Sequence, residues 1–204
     1  MPKPQPRIAG LPGSLRKQSC TRAAVRIALE GAAHAGAATE LVDLSDFDLP
    51  LCAGMDSDFD YPESVMKLRE VLKRADGIIL GTPEYHGSYS GVLKNALDLM
   101  AFPQFELKMV GLVSVSGGAM GGLEAMTGLR AVCRSLHAWV VPNQAAVPSA
   151  HKHFGPTKNQ TARSGTVNAP WAIRSRVSRC CTQKRWVNCC ASNCAAPRTP
   201  AQAE

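Results

Sequence analysis

Short apolar runs alternate with amphipathic stretches of helical period through the first 150 residues, and this alternation constrains the fold more than any other feature. The apolar runs predict strands over residues 8–11, 40–44, 78–82, 109–115 and 139–147. Apolar stripes of period 3.6 predict helices over about residues 17–35 and in segments that begin at Pro62, after Ser90 and near Leu123. The alternation predicts an α/β domain with an open, parallel, five-stranded sheet, helices on both faces and right-handed crossovers.

Three loops follow predicted strands and carry most of the chemistry, and ligands of such sheets bind beyond the carboxyl ends of the strands. The first, residues 12–19, leads into a helix N-terminus, where free N–H groups and the helix dipole favour an anion. Its two serine hydroxyls and Arg16 suit a dianionic phosphate. The loop lacks the glycine pattern of dinucleotide-binding folds and the Gly-Lys-Ser/Thr of ATPases, which excludes both of those phosphate loops. An ordinary capped helix start is the alternative.

The second and third loops could hold a flat ring. Residues 82–90 read Thr-Pro-Glu-Tyr-His-Gly-Ser-Tyr-Ser, a set that could stack on or hydrogen-bond along a polar heterocycle. Alternatively, its tyrosines simply cover the sheet edge. Residues 116–122 contain four glycines, which let the backbone approach a ligand closely and expose N–H donors, or only make a flexible crossover. The GxSxG motif of α/β hydrolases is absent from the sequence, and no order of Ser, His and Asp requires a catalytic triad.

Taken together, these segments resemble the NADPH-dependent FMN reductase family, which includes quinone, azo-dye and chromate reductases. The matching stretches are Gly-Ser-Leu-Arg-x-x-Ser at 13–19, Thr-Pro-Glu-Tyr-His-Gly-Ser-Tyr-Ser-Gly-Val-Leu-Lys-Asn-Ala-Leu-Asp at 82–98 and Ser-Gly-Gly at 116–118. The likeness extends from about residue 7 to residue 154. It implies a flavodoxin-like fold with strand order 2-1-3-4-5, FMN as cofactor, and transfer of hydride from NADPH or NADH through FMN to a small acceptor such as a flavin, quinone, azo dye or metal oxyanion.

The resemblance also implies which residues hold FMN. The phosphate would contact Ser14, Arg16, Ser19 and Thr21; the ribityl chain and isoalloxazine would contact Pro83, Glu84, Tyr85 and His86; the pyrimidine end would face Ser116, Gly117 and Gly118. Many family members have Asn where His86 stands, and His can still donate one hydrogen bond there. Because the flavin performs the hydride chemistry, no catalytic acid or base is named. Members are commonly dimers or tetramers, so we expect a homodimer or homotetramer.

The last quarter of the chain departs from this pattern. Residues 151–204 carry nine basic residues and one acid, whereas residues 1–150 carry 14 basic and 15 acidic residues. The same segment has no Leu, against 18 in residues 1–150, and contains five of the eight cysteines. We therefore expect two regions: an FMN-binding domain over 7–154 and a basic, Cys-rich, irregular tail over 155–204, either disordered or the product of a frameshift. The tail has no CxxC spacing for zinc, and its charge would support only nonspecific nucleic-acid binding.

Two rival functions remain open from the sequence. A flavodoxin-type electron carrier would share the fold, but flavodoxins have a Ser/Thr-rich phosphate loop without Arg and strongly acidic surfaces. An inactive product of a disrupted reductase gene would share the motifs. We expect no export or membrane segment, because residues 1–15 contain four prolines and no long apolar stretch. The three scattered cysteines of the body are typical of a reducing compartment, so we expect a cytoplasmic protein.

Overall fold

The computed structural model describes residues 5–54 and 61–154. Their elements alternate as the sequence pattern predicts. The strands are β1 (Arg7–Pro12), β2 (Ala38–Leu41), β3 (Gly77–Tyr85), β4 (Ser88–Tyr89), β5 (Met109–Val115) and β6 (Trp139–Val147). The helices are α1 (Cys20–His34), α2 (Glu63–Arg74), α3 (Gly91–Asp98), α4 (Phe102–Phe105), α5 (Leu123–Ser135) and α6 (Ala150–His153), with one 3-10 turn over Leu44–Asp46.

Five of the strands form a parallel sheet in the order β2-β1-β3-β5-β6. Its register is continuous across the centre, where Ile8 lies beside Gly77 and Gly77 beside Met109. The two-residue β4 lies off this path and pairs antiparallel with the end of β3. Once β4 is set aside, the order is the predicted 2-1-3-4-5, so the flavodoxin-like fold is confirmed.

Helices cover both faces of the sheet because the central strands are apolar on both sides. Ile78, Ile79 and Leu80 of β3 are all fully buried, as the continuous apolar run predicts for a parallel strand. On one face, Ile79 packs with the apolar stripe of α1. On the other face, Ile78 and Leu80 pack with α2, α3 and α5. Burial of each such aliphatic side chain contributes about 1.5–3 kcal/mol to the stability of the fold. Because both helix layers bury side chains of the central strands, both stabilise the same strands.

Two glycines let α1 lie close against the sheet. A Cβ on Gly10 would lie 2.7 Å from side-chain carbons of both Val25 and Leu29, and one on Gly81 would lie 2.2 Å from a methyl carbon of Val25. A larger residue at either position would force the helix away from β1 and β3. The close contact therefore fixes where the N-terminus of α1 meets the carboxyl edge of the sheet.

Several boundaries differ from the sequence prediction. Helix α1 begins at Cys20 rather than residue 17, because the Ser19 hydroxyl accepts a hydrogen bond from the Arg22 N–H and caps the helix there. Strand β2 covers 38–41 rather than 40–44, because Asp43 caps the 3-10 turn that starts at Leu44. Pro62 precedes α2 as its N-cap residue instead of being its first helical residue. The predicted Ser90 cap of α3 is confirmed.

The predicted loop over residues 83–90 is mostly a β-hairpin. Strand β3 continues through Pro83 and Glu84 to Tyr85 and turns back into β4 at His86 and Gly87. Both turn residues have positive φ, 51° and 73°, as a two-residue type I′ turn requires. The short helices α4 and α6 were not predicted, since four residues are too few to show a helical period.

The predictions for the tail over 155–204, including its disorder or frameshift and its cysteines, lie outside the described residues. None of the helices within 5–54 and 61–154 has the length and apolar character needed to cross a membrane.

Candidate functional site

A cleft of about 320 Å³ opens at the carboxyl edge of the sheet, where β1, β3 and β5 end. Its size is within the range of small-molecule sites, roughly 300–1,000 Å³. It is lined by the loop before α1 and the first turn of that helix, the end of β3, the end of β5 and α6. The lining residues are Ser14, Arg16, Gln18, Ser19, Cys20, Thr21, Pro83, Glu84, Tyr85, Val115, Ser116, Gly117, Ala150, His151 and Phe154.

The N-terminus of α1 supplies hydrogen-bond donors at one end of the cleft. Its first residues, Cys20 and Thr21, carry backbone N–H groups that precede the first helical hydrogen bonds. The hydroxyl-bearing Ser14, Ser19 and Thr21 are buried at the floor, whereas Arg16 is exposed to solvent. The cleft is thus lined by backbone N–H groups at the positive end of a helix dipole and by an arginine, which is a donor set that suits a phosphate.

Arg22 holds this loop from outside the cleft. Its Nη1 donates to the carbonyl oxygens of Arg16 and Lys17, at 3.0 and 3.2 Å. The same guanidinium forms an ion pair with Asp43, in which Nη2 lies 3.1 Å from Oδ1 and Nε contacts Oδ2. Burial acts to raise the pKa of Asp43, but the hydrogen bonds from Arg22 and Ser45 outweigh it and hold that pKa below its usual value. The Asp43 carboxylate therefore stays charged at neutral pH and keeps its ion pair with Arg22.

Glu84 joins the second loop to the third. Its Oε2 accepts a hydrogen bond of 3.1 Å from the N–H of Ala125 in the first turn of α5. That helix has no side-chain cap of its own, because its N-cap residue is Gly122. A carboxylate at a helix N-terminus is stabilised by the dipole as well as by the hydrogen bond. Glu84 consequently fixes the hairpin that carries Tyr85 against the start of α5, the helix that follows the loop over residues 116–122.

The third loop presents backbone to the cleft. The Ser116 hydroxyl accepts from the Gly118 N–H at 3.0 Å, and the carbonyl groups of Ser116 and Gly118 accept from Ala150 and Ser149. These bonds connect the loop to the start of α6. A Cβ on Gly117 would meet no atom within 4 Å, so the backbone at this position faces open space in the cleft. A planar ligand can therefore approach it closely.

The cleft brings together nine of the eleven residues predicted to bind the cofactor: Ser14, Arg16, Ser19, Thr21, Pro83, Glu84, Tyr85, Ser116 and Gly117. His86 and Gly118 lie outside its lining. His86 is at the exposed tip of the β3–β4 hairpin, where its residue type suits the positive φ of the turn. The Gly118 backbone instead contacts Ser116 and Ser149.

Six lining residues were not predicted: Gln18, Cys20, Val115, Ala150, His151 and Phe154. Gln18 and Cys20 belong to the first loop and the helix start, so their position in the sequence was a usable signal. Burial raises the pKa of the Cys20 thiol, although the charge of Arg16 opposes the shift. Ala150, His151 and Phe154 arrive through α6, whose four residues give no sequence pattern.

The chemistry of the lining suits a phosphate ester attached to a flat ring. The phosphate donors lie at the start of α1, and the Tyr85 ring and the Gly117 backbone border the same cleft. Among the described lining residues, Glu84 is the single carboxylate, and its hydrogen bond to Ala125 engages it with α5. The residues present therefore fit FMN.

Several known proteins are similar to this chain in sequence or in fold. Residues 6–152 match the sequence model of a family described as NADPH-dependent FMN reductase. An NADPH azoreductase from Bacillus sp. (strain OY1-2) is 40% identical over 116 residues, which are 57% of this chain and 65% of that protein. An FMN-dependent NADPH-azoreductase from Staphylococcus aureus (strain USA300) is 40% identical over 137 residues, which are 66% of this chain and 72% of that protein. The match thus spans a little under two thirds of the Bacillus protein's length.

Among solved structures, the flavoenzyme NAD(P)H:(acceptor) oxidoreductase from Paracoccus denitrificans superposes with a TM-score of 0.67 at 24% identity, covering 90% of this chain and 97% of that one. This likeness shows the flavodoxin-like fold. The sequence match extends over more than half of the chain and confirms the predicted resemblance: the chain belongs to the NADPH-dependent FMN reductase family.

Proposed function

We propose that this chain is an FMN-dependent NAD(P)H oxidoreductase that passes hydride through FMN to a small acceptor. The observation that carries the proposal is the single cleft that joins the start of α1, the end of β3 and the Ser116–Gly117 backbone. Three separate loops, each suited to a different part of a phosphorylated flavin, meet around one space. A flavodoxin-like domain that used the cleft for another ligand would not need this combination of donors and ring-facing backbone.

The residues proposed to hold FMN divide by chemistry. Arg16 and the α1 N-terminus bind the phosphate, with the Ser14, Ser19 and Thr21 hydroxyls around it. Tyr85 and the backbone of Pro83 and Glu84 border the ribityl chain and ring. Ser116 and Gly117 border the pyrimidine end, and the predictions for His86 and Gly118, which lie outside the cleft lining, remain part of the proposal.

The protein's part in the reaction is positioning and electrostatics. FMN, when bound, supplies the hydride chemistry by accepting two electrons and a proton equivalent from NAD(P)H and returning them to the acceptor. The backbone N–H of Gly117 would donate toward the end of the ring that becomes negative on reduction, and a fixed donor of this kind stabilises developing charge. The α1 dipole and Arg16 hold the phosphate in place, so that the ring is fixed relative to the incoming donor.

The acceptor is proposed to be a small, flat, reducible molecule, with azo compounds as the first class to test. Two relatives at 40% identity are named as azoreductases, which supports that choice. The half-exposed ring of Tyr85 offers an apolar surface beside the flavin site. Quinones, free flavins and metal oxyanions are the other acceptors included in the proposal.

A homodimer or homotetramer is proposed as the working assembly. Three large apolar side chains at the end of β3, in the third loop and at the start of α5 are exposed in the single chain: Tyr85, Met120 and Leu123, by 49%, 69% and 38%. Residues 7–154 are proposed as the FMN-binding domain. Free thiols at Cys20, Cys52 and Cys133 support a cytoplasmic location, where cysteines stay reduced.

The test is to purify the full chain, measure its flavin content and add NADPH without oxygen. We expect bound FMN and rapid loss of the oxidised-flavin absorbance, followed by its return when an azo dye is added. Bound FMN that NADPH does not reduce would favour the flavodoxin-type carrier. A chain that binds no FMN, even when FMN is added in excess, would contradict the proposal and favour the inactive product.

A further inference from the structure

Arg22 is the most heavily bonded arginine near the proposed phosphate site, yet it does not line the cleft. Its guanidinium contacts two backbone carbonyl groups of the first loop and both oxygens of one carboxylate. The side chains of Arg22 and Asp43 are 15% and 14% exposed. This arrangement places a rigid, planar group behind the loop, on the side away from the ligand space.

The bonds of Arg22 act on the segment that must be ordered to bind a phosphate. The side chains from residue 15 to residue 18 are exposed and give that segment little packing. The carbonyl groups of Arg16 and Lys17 are held by Arg22 Nη1. A loop fixed before the ligand arrives does not lose conformational freedom on binding, and this preorganisation favours the bound state.

Asp43 fixes the orientation of the Arg22 guanidinium. One carboxylate oxygen accepts from Arg22 and from both the backbone N–H and the hydroxyl of Ser45. The carboxylate is therefore fixed to the 3-10 turn after β2, and it neutralises the guanidinium locally. Arg22 thus contributes geometry rather than a free positive charge.

We propose that the Arg22–Asp43 pair is a positioning device that makes the cleft select a phosphorylated flavin over the same flavin without its phosphate. The inference rests on the proposed function, because it takes the first loop to be the phosphate site. Arg22 acts through the backbone at Arg16 and Lys17 and is a positioning residue. Lysine cannot reproduce its action, since an ammonium lacks the planar fork that reaches two carbonyl groups and a carboxylate together.

The experiment measures the dissociation constants of FMN and riboflavin by flavin fluorescence for the full chain and three variants. Arg22→Lys keeps the charge and the helix propensity but removes the fork. Asp43→Asn keeps the shape and removes the carboxylate charge. Arg134→Lys, an exposed site in the last turn of α5, makes the same chemical change far from the loop and serves as the control.

We expect Arg22→Lys and Asp43→Asn each to weaken FMN binding about tenfold, the effect of about one hydrogen bond that involves a charged group, while riboflavin affinity changes by less than about twofold. Arg134→Lys should leave both affinities unchanged. Equal losses for FMN and riboflavin would show a general structural role and overturn the inference, as would unchanged FMN affinity in both variants. A wild-type chain that binds both flavins equally would instead contradict the proposed phosphate site itself.

Discussion

Replacing Arg16 with alanine tests the charge at the proposed phosphate site. Arg16 lines the cleft beside the N-terminus of α1 and extends into solvent, so its removal leaves no buried gap. The loop backbone remains held by Arg22, which bonds the carbonyl group of residue 16 and not its side chain. The substitution therefore removes a charged donor and leaves the fold in place.

The magnitude follows from the type of bond that is lost. A hydrogen bond to a charged group contributes about 1.5–3 kcal/mol. Since each 1.4 kcal/mol is a factor of ten, FMN affinity should fall roughly 10- to 150-fold. Because Arg16 is exposed, added salt should screen part of the interaction and bring the wild type and the variant closer together.

The assay is titration of the full chain with FMN, followed by flavin fluorescence, at low and at high salt. Lys17→Ala is the matched control, because Lys17 is the neighbouring exposed cation and does not line the cleft. We expect Lys17→Ala to bind FMN within about twofold of the wild type. Equal affinity in Arg16→Ala and the wild type, or equal losses in the two variants, would refute the assignment of Arg16.

Four further outcomes are expected. Gly122→Ala should lower the free energy of unfolding in denaturant by about 2–5 kcal/mol, because Gly122 has φ of 83° and an added Cβ would lie 1.8 Å from Ser114 Oγ. A loss below about 1 kcal/mol would contradict that packing. Gly91→Ala, in the exposed first turn of α3 where an added Cβ meets no atom within 4 Å, should stabilise by about 0.4–1 kcal/mol, and a lower melting temperature would count against the helix assignment. Glu84→Ala should cost about 0.5–2 kcal/mol, because α5 loses the acceptor for its first turn, whereas no change would mean that the helix is capped otherwise. Burial raises the pKa of Cys133 to about 12, so iodoacetamide at pH 9 should modify it only after unfolding, as peptide mass spectrometry can check; modification of the native chain would contradict its burial.

The sheet was predictable because its signals are local. The apolar runs at 109–115 and 139–147 coincide with β5 and β6, and β1 and β3 contain the predicted runs and extend beyond them. Helix capping, and not the apolar pattern, determines where α1 begins. Ser19 starts α1 three residues later than its apolar stripe suggests, because the cap hydrogen bond determines the first helical residue.

Cleft-lining residues were predictable where they directly follow a strand. They were not predictable where a segment distant in sequence folds back onto the cleft. The first-loop serines and Arg16 follow β1 directly and line the cleft. His151 and Phe154 line the same cleft, but they enter through α6, whose position depends on hydrogen bonds between the Ser116 and Gly118 carbonyl groups and the helix start. Such contacts between distant segments have no local sequence signal.

The hairpin shows a different kind of miss. The dipeptide His86-Gly87 forms the turn between β3 and β4, and its residue types fit a type I′ turn. The sequence interpretation assigned His86 to the ring site by resemblance, and the structure places it at an exposed tip outside the cleft lining, so its role in binding stays a prediction. A turn signal and a ligand signal therefore overlap at the same residue, and the turn is the part that the structure confirms.

The central claim is that FMN lies in the cleft with its phosphate at the start of α1. The most direct measurement is a pair of amide ¹H–¹⁵N NMR spectra of the full chain, without and with FMN. The account predicts that the largest shifts fall on residues 14–21 and on Ser116 and Gly117, with little change at Trp139 on the opposite edge of the sheet. Shifts concentrated away from the first loop, or none at saturating FMN, would contradict the account.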